Sequence, residues 1–225
     1  MFNCGSRLLT TAHAAGGPSD PNFSTVMALM HMDATPFVDV RGHTITNNNG
    51  VTAAATGAKF GNAGQFNGSN QSLVIAPSAN FVFPGDYTIE CWITPTALTG
   101  GDIIGNLVGS TSADWALIQS SNVLQYYYAG TGSFIQSAAI TANVNHHIAI
   151  VRGGGIITMY IDGTATGTQK SSSGNLGDST RNVTVGARNS GASNFFAGAI
   201  DEIRLSQMAR YVANFTPPTS PFLNQ

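Results

Sequence analysis

Carboxylates are the side chains most able to do chemistry here, and the two glutamates, Glu90 and Glu202, fall in separate segments. Cleaving a glycosidic bond takes two carboxyl groups flanking one bond, one donating a proton and the other acting as base or nucleophile. Neither glutamate has an acidic residue two positions away, the spacing that sets two carboxylates side by side on one strand face. Glycoside hydrolysis is therefore not expected, and both read as solvated or salt-bridged strand residues, for instance Glu202 beside Arg204. The adjacent His146 and His147 would point to opposite faces of a strand and could not readily share a metal ion. No Gly-x-Ser-x-Gly elbow, reactive-cysteine setting or phosphate-cradling glycine loop before a helix occurs. The chain is expected to bind or build, not to turn over a substrate.

Three groups of residues are candidates for binding. Simple alternation puts Asp201 on one face with Phe195, Ala197, Ala199, Ile203 and Leu205, and a carboxylate on an apolar face needs a partner. Calcium, held by Asp201, Asp33 and backbone carbonyls, would suit hard oxygen ligands; the alternative is that Asp201 accepts hydrogen bonds from backbone amides or an arginine. The run Tyr126-Tyr127-Tyr128 alternates faces, so a ring is available either to stack on a glycan or to cover the core. Phe2, Leu8, Leu9 and Phe23 are the apolar side chains by which an N-terminal segment could dock on a partner.

The elements that must position these groups are short. Runs rich in β-branched and aromatic residues alternate with Gly, Asn, Ser and Asp clusters, and no long helical period appears. The clearest strands are 26–32, 72–76, 87–94, 115–119, 123–129, 146–152, 156–161, 182–187 and 196–206. Asp162-Gly163 predicts a two-residue hairpin turn and Arg152 to Gly155 a second reversal, so 146 to about 168 should form three antiparallel strands. In 87–93, Tyr87, Ile89, Cys91 and Ile93 should face an opposing sheet. Trp92 on the other face then needs a covering loop, or it contributes to a binding surface. The fold class is all-β, a two-sheet antiparallel β-sandwich with an extended N-terminal arm over 1–23, the sandwich over 24–208 and a tail over 209–225 packed on the sandwich or on a partner.

Charged residues make up 9% of the chain and the formal net charge is −2, which leaves no basic surface for nucleic acid. Residues 1–15 lack the sustained apolar stretch of a secretory signal or membrane anchor, so membrane insertion is not expected. Cys4 and Cys91 are expected as free thiols.

Several segments carry a family resemblance. His146-His147-Ile148-Ala149-Ile150-Val151-Arg152 followed by Met159-Tyr160-Ile161-Asp162-Gly163 resembles laminin-G-like members of the concanavalin A-like lectin/glucanase superfamily, with Asn145 where that pattern usually has Trp. Asn182–Gly186 with Phe196–Leu205, and earlier Phe66–Ser69, Leu73–Ile75 and Tyr87–Ile93, are similar to its closing and opening segments. The resemblance implies a jelly roll of two curved sheets. The tail, Ala209-Arg210-Tyr211 through Asn214–Pro218 and Pro221-Phe222, resembles bacteriophage-encoded copies. It implies a non-enzymatic virion structural protein, made in the host cytoplasm and resident on the particle as a homo-oligomer, decorating a capsid or associated with a tail through other virion proteins. The alternative it implies is a lectin-like module that binds a surface glycan in adhesion to the host.

Overall fold

The computed structural model describes residues 19–109, 113–128 and 134–225. The described strands are β1 (Val26–Met30), β2 (Ile45–Asn48), β3 (Thr52–Ala54), β4 (Ala63–Asn67), β5 (Ser72–Ile75), β6 (Tyr87–Pro95), β7 (Gly101–Gly105) and β8 (Trp115–Ser120). They continue as β9 (Val123–Tyr128), β10 (Phe134–Ala139), β11 (His146–Gly153), β12 (Ile156–Ile161), β13 (Thr164–Ser171), β14 (Val183–Val185) and β15 (Ala197–Ser206). Among the described residues, helix is confined to two single 3-10 turns, Phe23–Thr25 and Ala79–Phe81.

An eight-stranded sheet runs β13-β12-β11-β6-β15-β4-β3, with β1 also paired to β15; a seven-stranded sheet runs β10-β9-β8-β7-β14-β5-β2. Every ladder is antiparallel. The fold is therefore the expected all-β sandwich of jelly-roll type. One apolar cluster fills the space between the sheets, with Ile89, Cys91, Ile148, Ile150 and Leu205 from one side meeting Leu73, Trp115, Leu117, Tyr126 and Val185 from the other. These are alternate residues of their strands, as a two-layer sandwich demands.

β6 is buried along its whole length, on both faces. Its outward residues are met one by one by covering segments. Thr88 Oγ1 donates to the Met208 carbonyl and accepts from the Arg210 amide. Glu90 receives the Tyr211 hydroxyl. Trp92 lies under Phe60, edge-on at 6.2 Å, and under the Lys59 ammonium at 4.4 Å. Thr94 donates to the Gly57 carbonyl. The 57–60 loop and the C-terminal tail thus form a third layer over the outer face of this sheet, and Trp92 is covered, not displayed.

Simple alternation misplaces Asp201. The register of β15 on β6 shifts between Asp201 and Arg204, where Glu202 adopts φ 47°. This extra residue is a β-bulge, which reverses the order of faces. Ile200 and Ile203 both point into the core, while Asp201 stands opposite Trp92 under the third layer. Asp201 therefore does not share the face of Ile203 and Leu205. Glu202 is likewise not beside Arg204: it accepts from the Phe222 amide and lies 2.7 Å from His31 Nδ1, whereas Arg204 pairs with Glu90 at 2.8 Å.

Candidate functional site

The outer face of the seven-stranded sheet carries an open cleft of about 760 Å³. Its floor is the β8-β9 hairpin, closed by a two-residue turn in which Ser120 pairs with Val123 and Ser121 takes φ 54°. Alternation sends Trp115, Leu117, Leu124 and Tyr126 inward and leaves Ile118, Ser120, Gln125 and Tyr127 on the cleft side. Tyr127 stands opposite Ala116, whose small side chain leaves its ring room, and opposite Phe134 on β10, the two ring centroids 5.1 Å apart. Beside this aromatic pair, Gln125 Nε2 donates to Gln136 Oε1 at 2.9 Å, and the Tyr127 hydroxyl donates to Gln125 Oε1 at 3.3 Å. The floor thus sets the Tyr127 ring beside the Gln125 amide.

The facing wall is built at Gly101, Arg188 and Asn194. Gly101 has φ +146°, and a Cβ there would lie 2.5 Å from the Phe196 Cα, so only glycine lets β7 approach the start of β15 this closely. That approach buries Asp102, whose Oδ2 and Oδ1 accept from Arg188 Nε at 2.8 Å and Nη2 at 3.0 Å. Burial pushes the Asp102 carboxyl up, and the guanidinium opposes but does not cancel that push. The remaining lip holds Leu107, the exposed Val108 and Asp114, the last paired with Arg181.

The tyrosine run divides accordingly. Tyr127 lines the cleft, half-buried, and Tyr128 reaches it only from the strand end. Tyr126, expected as a possible glycan contact, is 0% exposed; its hydroxyl lies 3.1 Å from that of Tyr87 in the core, and burial pushes the phenol pKa well up. Gln125 is the residue the sequence could have supplied, since it shares a face with Tyr127 two positions away. Arg188 and Asn194 had no such signal, because they sit in an aperiodic polar loop.

The expected calcium ligands do something else. Asp201 Oδ2 accepts from the amides of Lys59 and Phe60 at 2.8 and 2.9 Å, and Asp33 Oδ1 accepts from the Asn62 amide at 2.8 Å. Both carboxylates clamp the 59–62 loop. Calcium requires six or more oxygen ligands, yet the oxygens used here face N–H donors, whose positive ends repel a cation. The buried Asp201 Oδ1 has no protein partner, but no group of three or more His, Cys, Asp or Glu side chains surrounds it or any other point among the described residues. The residues present do not fit the ion. Burial raises the Asp201 carboxyl to about 7, against the downward pull of the two amides.

The histidines part as expected. His146 Nδ1 lies 2.8 Å from Asp162 Oδ2, while His147 packs against Trp92 with ring centroids 5.0 Å apart and comes within 3.3 Å of Glu90. Glu90 joins Arg204 and Tyr211 beneath the tail; burial alone would raise its carboxyl, but Arg204 and His147 overcome this and hold it at about 2. Of the expected docking residues, Phe2, Leu8 and Leu9 lie outside the described residues. Phe23 packs on Val26, Leu29 and Phe222 of its own chain.

An antiparallel sandwich whose one outer face is covered at its centre by the tail and the 57–60 loop, and whose other outer face opens into an aromatic-floored cleft, is lectin-like in fold. The sequence matches the model of the concanavalin A-like lectin/glucanases superfamily over residues 67–214, and the chain belongs to that family. No curated protein matches the sequence.

Among solved structures, the binding domain of Paraclostridial mosquitocidal protein 1 is similar with a TM-score of 0.65 at 17% identity, over 84% of this chain and 50% of that one. The binding domain of botulinum neurotoxin DC in complex with SialylT gives 0.64 at 11%, over 84% and 49%. A structure of botulinum neurotoxin type C, whose cell entry depends on interaction with two ganglioside molecules, gives 0.64 at 12%, over 84% and 49%. The chain spans about half the length of these structures, and at such identities the likeness is one of fold.

Proposed function

We propose that the protein is a non-catalytic glycan-binding module that takes a carbohydrate into the cleft on the outer face of the seven-stranded sheet. The observation that carries this reading is the cleft itself: about 760 Å³, floored by the half-buried Tyr127 ring beside Gln125 and walled by Arg188 and Asn194. A ring face meets the C–H side of a sugar, and amides meet its hydroxyls, since amides both donate and accept. Family membership and the likeness to toxin binding domains support the same reading. Turnover is not proposed. Glu90 and Glu202 are buried beneath the tail, and the carboxylates at the cleft, Asp102 and Asp114, are each paired with an arginine.

The virion reading rests on the resemblance of the tail to phage copies, on the weakly charged surface and on an N-terminal arm whose Phe2, Leu8 and Leu9 lie outside the described residues. Tyr211 and Phe215 are stacked on each other, centroids 3.5 Å apart, and pack over the chain's own Ala149, Val151 and Tyr160. Recognition is therefore assigned to the cleft. A place on a phage particle remains part of the proposal only as the setting in which such a module would attach to a host surface.

The test is a glycan array probed with the folded protein and with Tyr127→Ala. The reading expects retention of a defined glycan set and a loss of about tenfold in the variant, the worth of one ring contact. Folded protein that retains no glycan, or binding indifferent to Tyr127→Ala, contradicts it.

A further inference from the structure

Resting on the cleft reading above, we infer that the ligand is an uncharged carbohydrate and that the cleft discriminates against carboxylated and sulfated sugars. Among the described residues two charged side chains line it, Arg188 and Asp114, one of each sign. Arg188 is 30% exposed and is the cation an acidic sugar would seek. A guanidinium recognises a carboxylate or sulfate best through one of its two two-donor edges, Nε with Nη2 or Nη1 with Nη2. Both edges are already engaged: Nε and Nη2 sit 2.8 and 3.0 Å from the two oxygens of Asp102, and the other edge, Nη2 and Nη1, meets the Asn194 side-chain amide oxygen at 3.0 and 3.3 Å.

Asp102 is itself 1% exposed. A ligand carboxylate that displaced it would leave a buried negative charge without its partner, a strongly unfavourable exchange. At the other end of the cleft Asp114 is held by Arg181, so the two ion pairs cancel and the described lining has no net charge.

An acidic group entering here would give up hydration without meeting a free cation. A neutral sugar meets what is present. Gln125 and Asn194 can donate and accept, Ser120 and Ser121 carry hydroxyls, and Tyr127 offers a ring face. The arrangement specifies hydroxyl-rich, uncharged chemistry: among the described residues the one cation that lines the cleft, Arg188, is already paired.

The experiment uses matched glycans, lactose against sialyllactose and neutral galactans against their sulfated forms, printed on one array, followed by titration of the tightest neutral member. The neutral form of each pair should bind more tightly than its acidic form, and equal binding of the two contradicts the inference. The neutral member's Kd should change by less than about twofold between about 20 and about 500 mM NaCl, because no ion pair forms on binding. Tighter binding of the acidic member, weakening about tenfold over the same salt range, overturns the inference. If that binding is still lost in Tyr127→Ala, the cleft reading survives; retention of no member by folded protein removes both.

Discussion

At the level of single residues, the shifts of Asp201, His31 and Glu90 predict how stability depends on pH. Asp201 is 1% exposed and burial lifts its carboxyl from 3.8 to about 7. The folded state therefore holds a proton that the unfolded chain releases. Its contribution is complete below about 4 and is lost as pH rises through 7. His31 is raised from 6.5 to about 9, chiefly by its hydrogen bond to Glu202, so its contribution is complete below 6.5 and is lost as pH rises through 9. Glu90 has the opposite sign: held at about 2, it contributes above 4.5 and loses that contribution as pH falls toward 2. Together these groups put maximal stability near pH 4 to 4.5, where the rise from Glu90 ends and the fall from Asp201 has begun. Thermal melts should show Tm falling from about pH 5 to about pH 9, with Asp201→Asn flattening the lower part of that fall and His31→Gln the upper part. A Tm that climbs toward pH 8 in the native chain would show that these assignments are wrong.

At the level of elements, the β12-β13 hairpin does more than reverse the chain. Asp162 and Gly163 take φ 50° and 77°, as a two-residue turn between Ile161 and Thr164 requires. The Gly163 carbonyl also receives the Phe215 amide at 2.9 Å, and a Cβ on Gly163 would collide with the Phe215 carbonyl oxygen. Gly154, in the neighbouring β11-β12 reversal, has φ +58°, and a Cβ there would meet no atom within 4 Å. Gly154→Ala should therefore cost only the left-handed backbone conformation, about 1 kcal/mol. Gly163→Ala should cost about 2 kcal/mol or more, because it also displaces the tail. Urea unfolding midpoints compare the two, and hydrogen exchange at the Phe215 amide should quicken in Gly163→Ala alone. Equal costs with Phe215 still protected would mean that the tail does not depend on this turn.

That hairpin was legible in the sequence, as were the long central strands β6, β11, β12 and β15, whose β-branched and aromatic runs alternate cleanly. Strands β2, β3 and β4 were not. Ile45–Asn48, Thr52–Ala54 and Ala63–Asn67 are short and rich in Asn, Ala, Thr and Gly, residues that turns also favour, and they become strands only through their neighbours. The bulge at Glu202 was invisible for a related reason. Nothing in Asp201-Glu202-Ile203 marks an extra residue, so alternation counted straight through it and put Asp201 on the wrong face. At the cleft, Tyr127 was found because aromatic residues in a strand announce themselves. The Arg188–Asp102 pair, 86 residues apart, depends on a strand approach that only the fold reveals.

At the level of the whole molecule, the two outer faces have opposite fates. One is closed by the tail and the 57–60 loop over Glu90, Trp92 and Asp201; the other stays open over Tyr127. A family fold shared with many binding domains supplies the sandwich, and this chain's own residues decide which face remains free. The measurement that tests this most directly is a crystal structure with the best-retained glycan. The account predicts the sugar ring lying against Tyr127, with its hydroxyls on Gln125 and the Arg188–Asn194 wall. A sugar bound instead on the tail-covered face of the eight-stranded sheet, with the cleft empty, would contradict it.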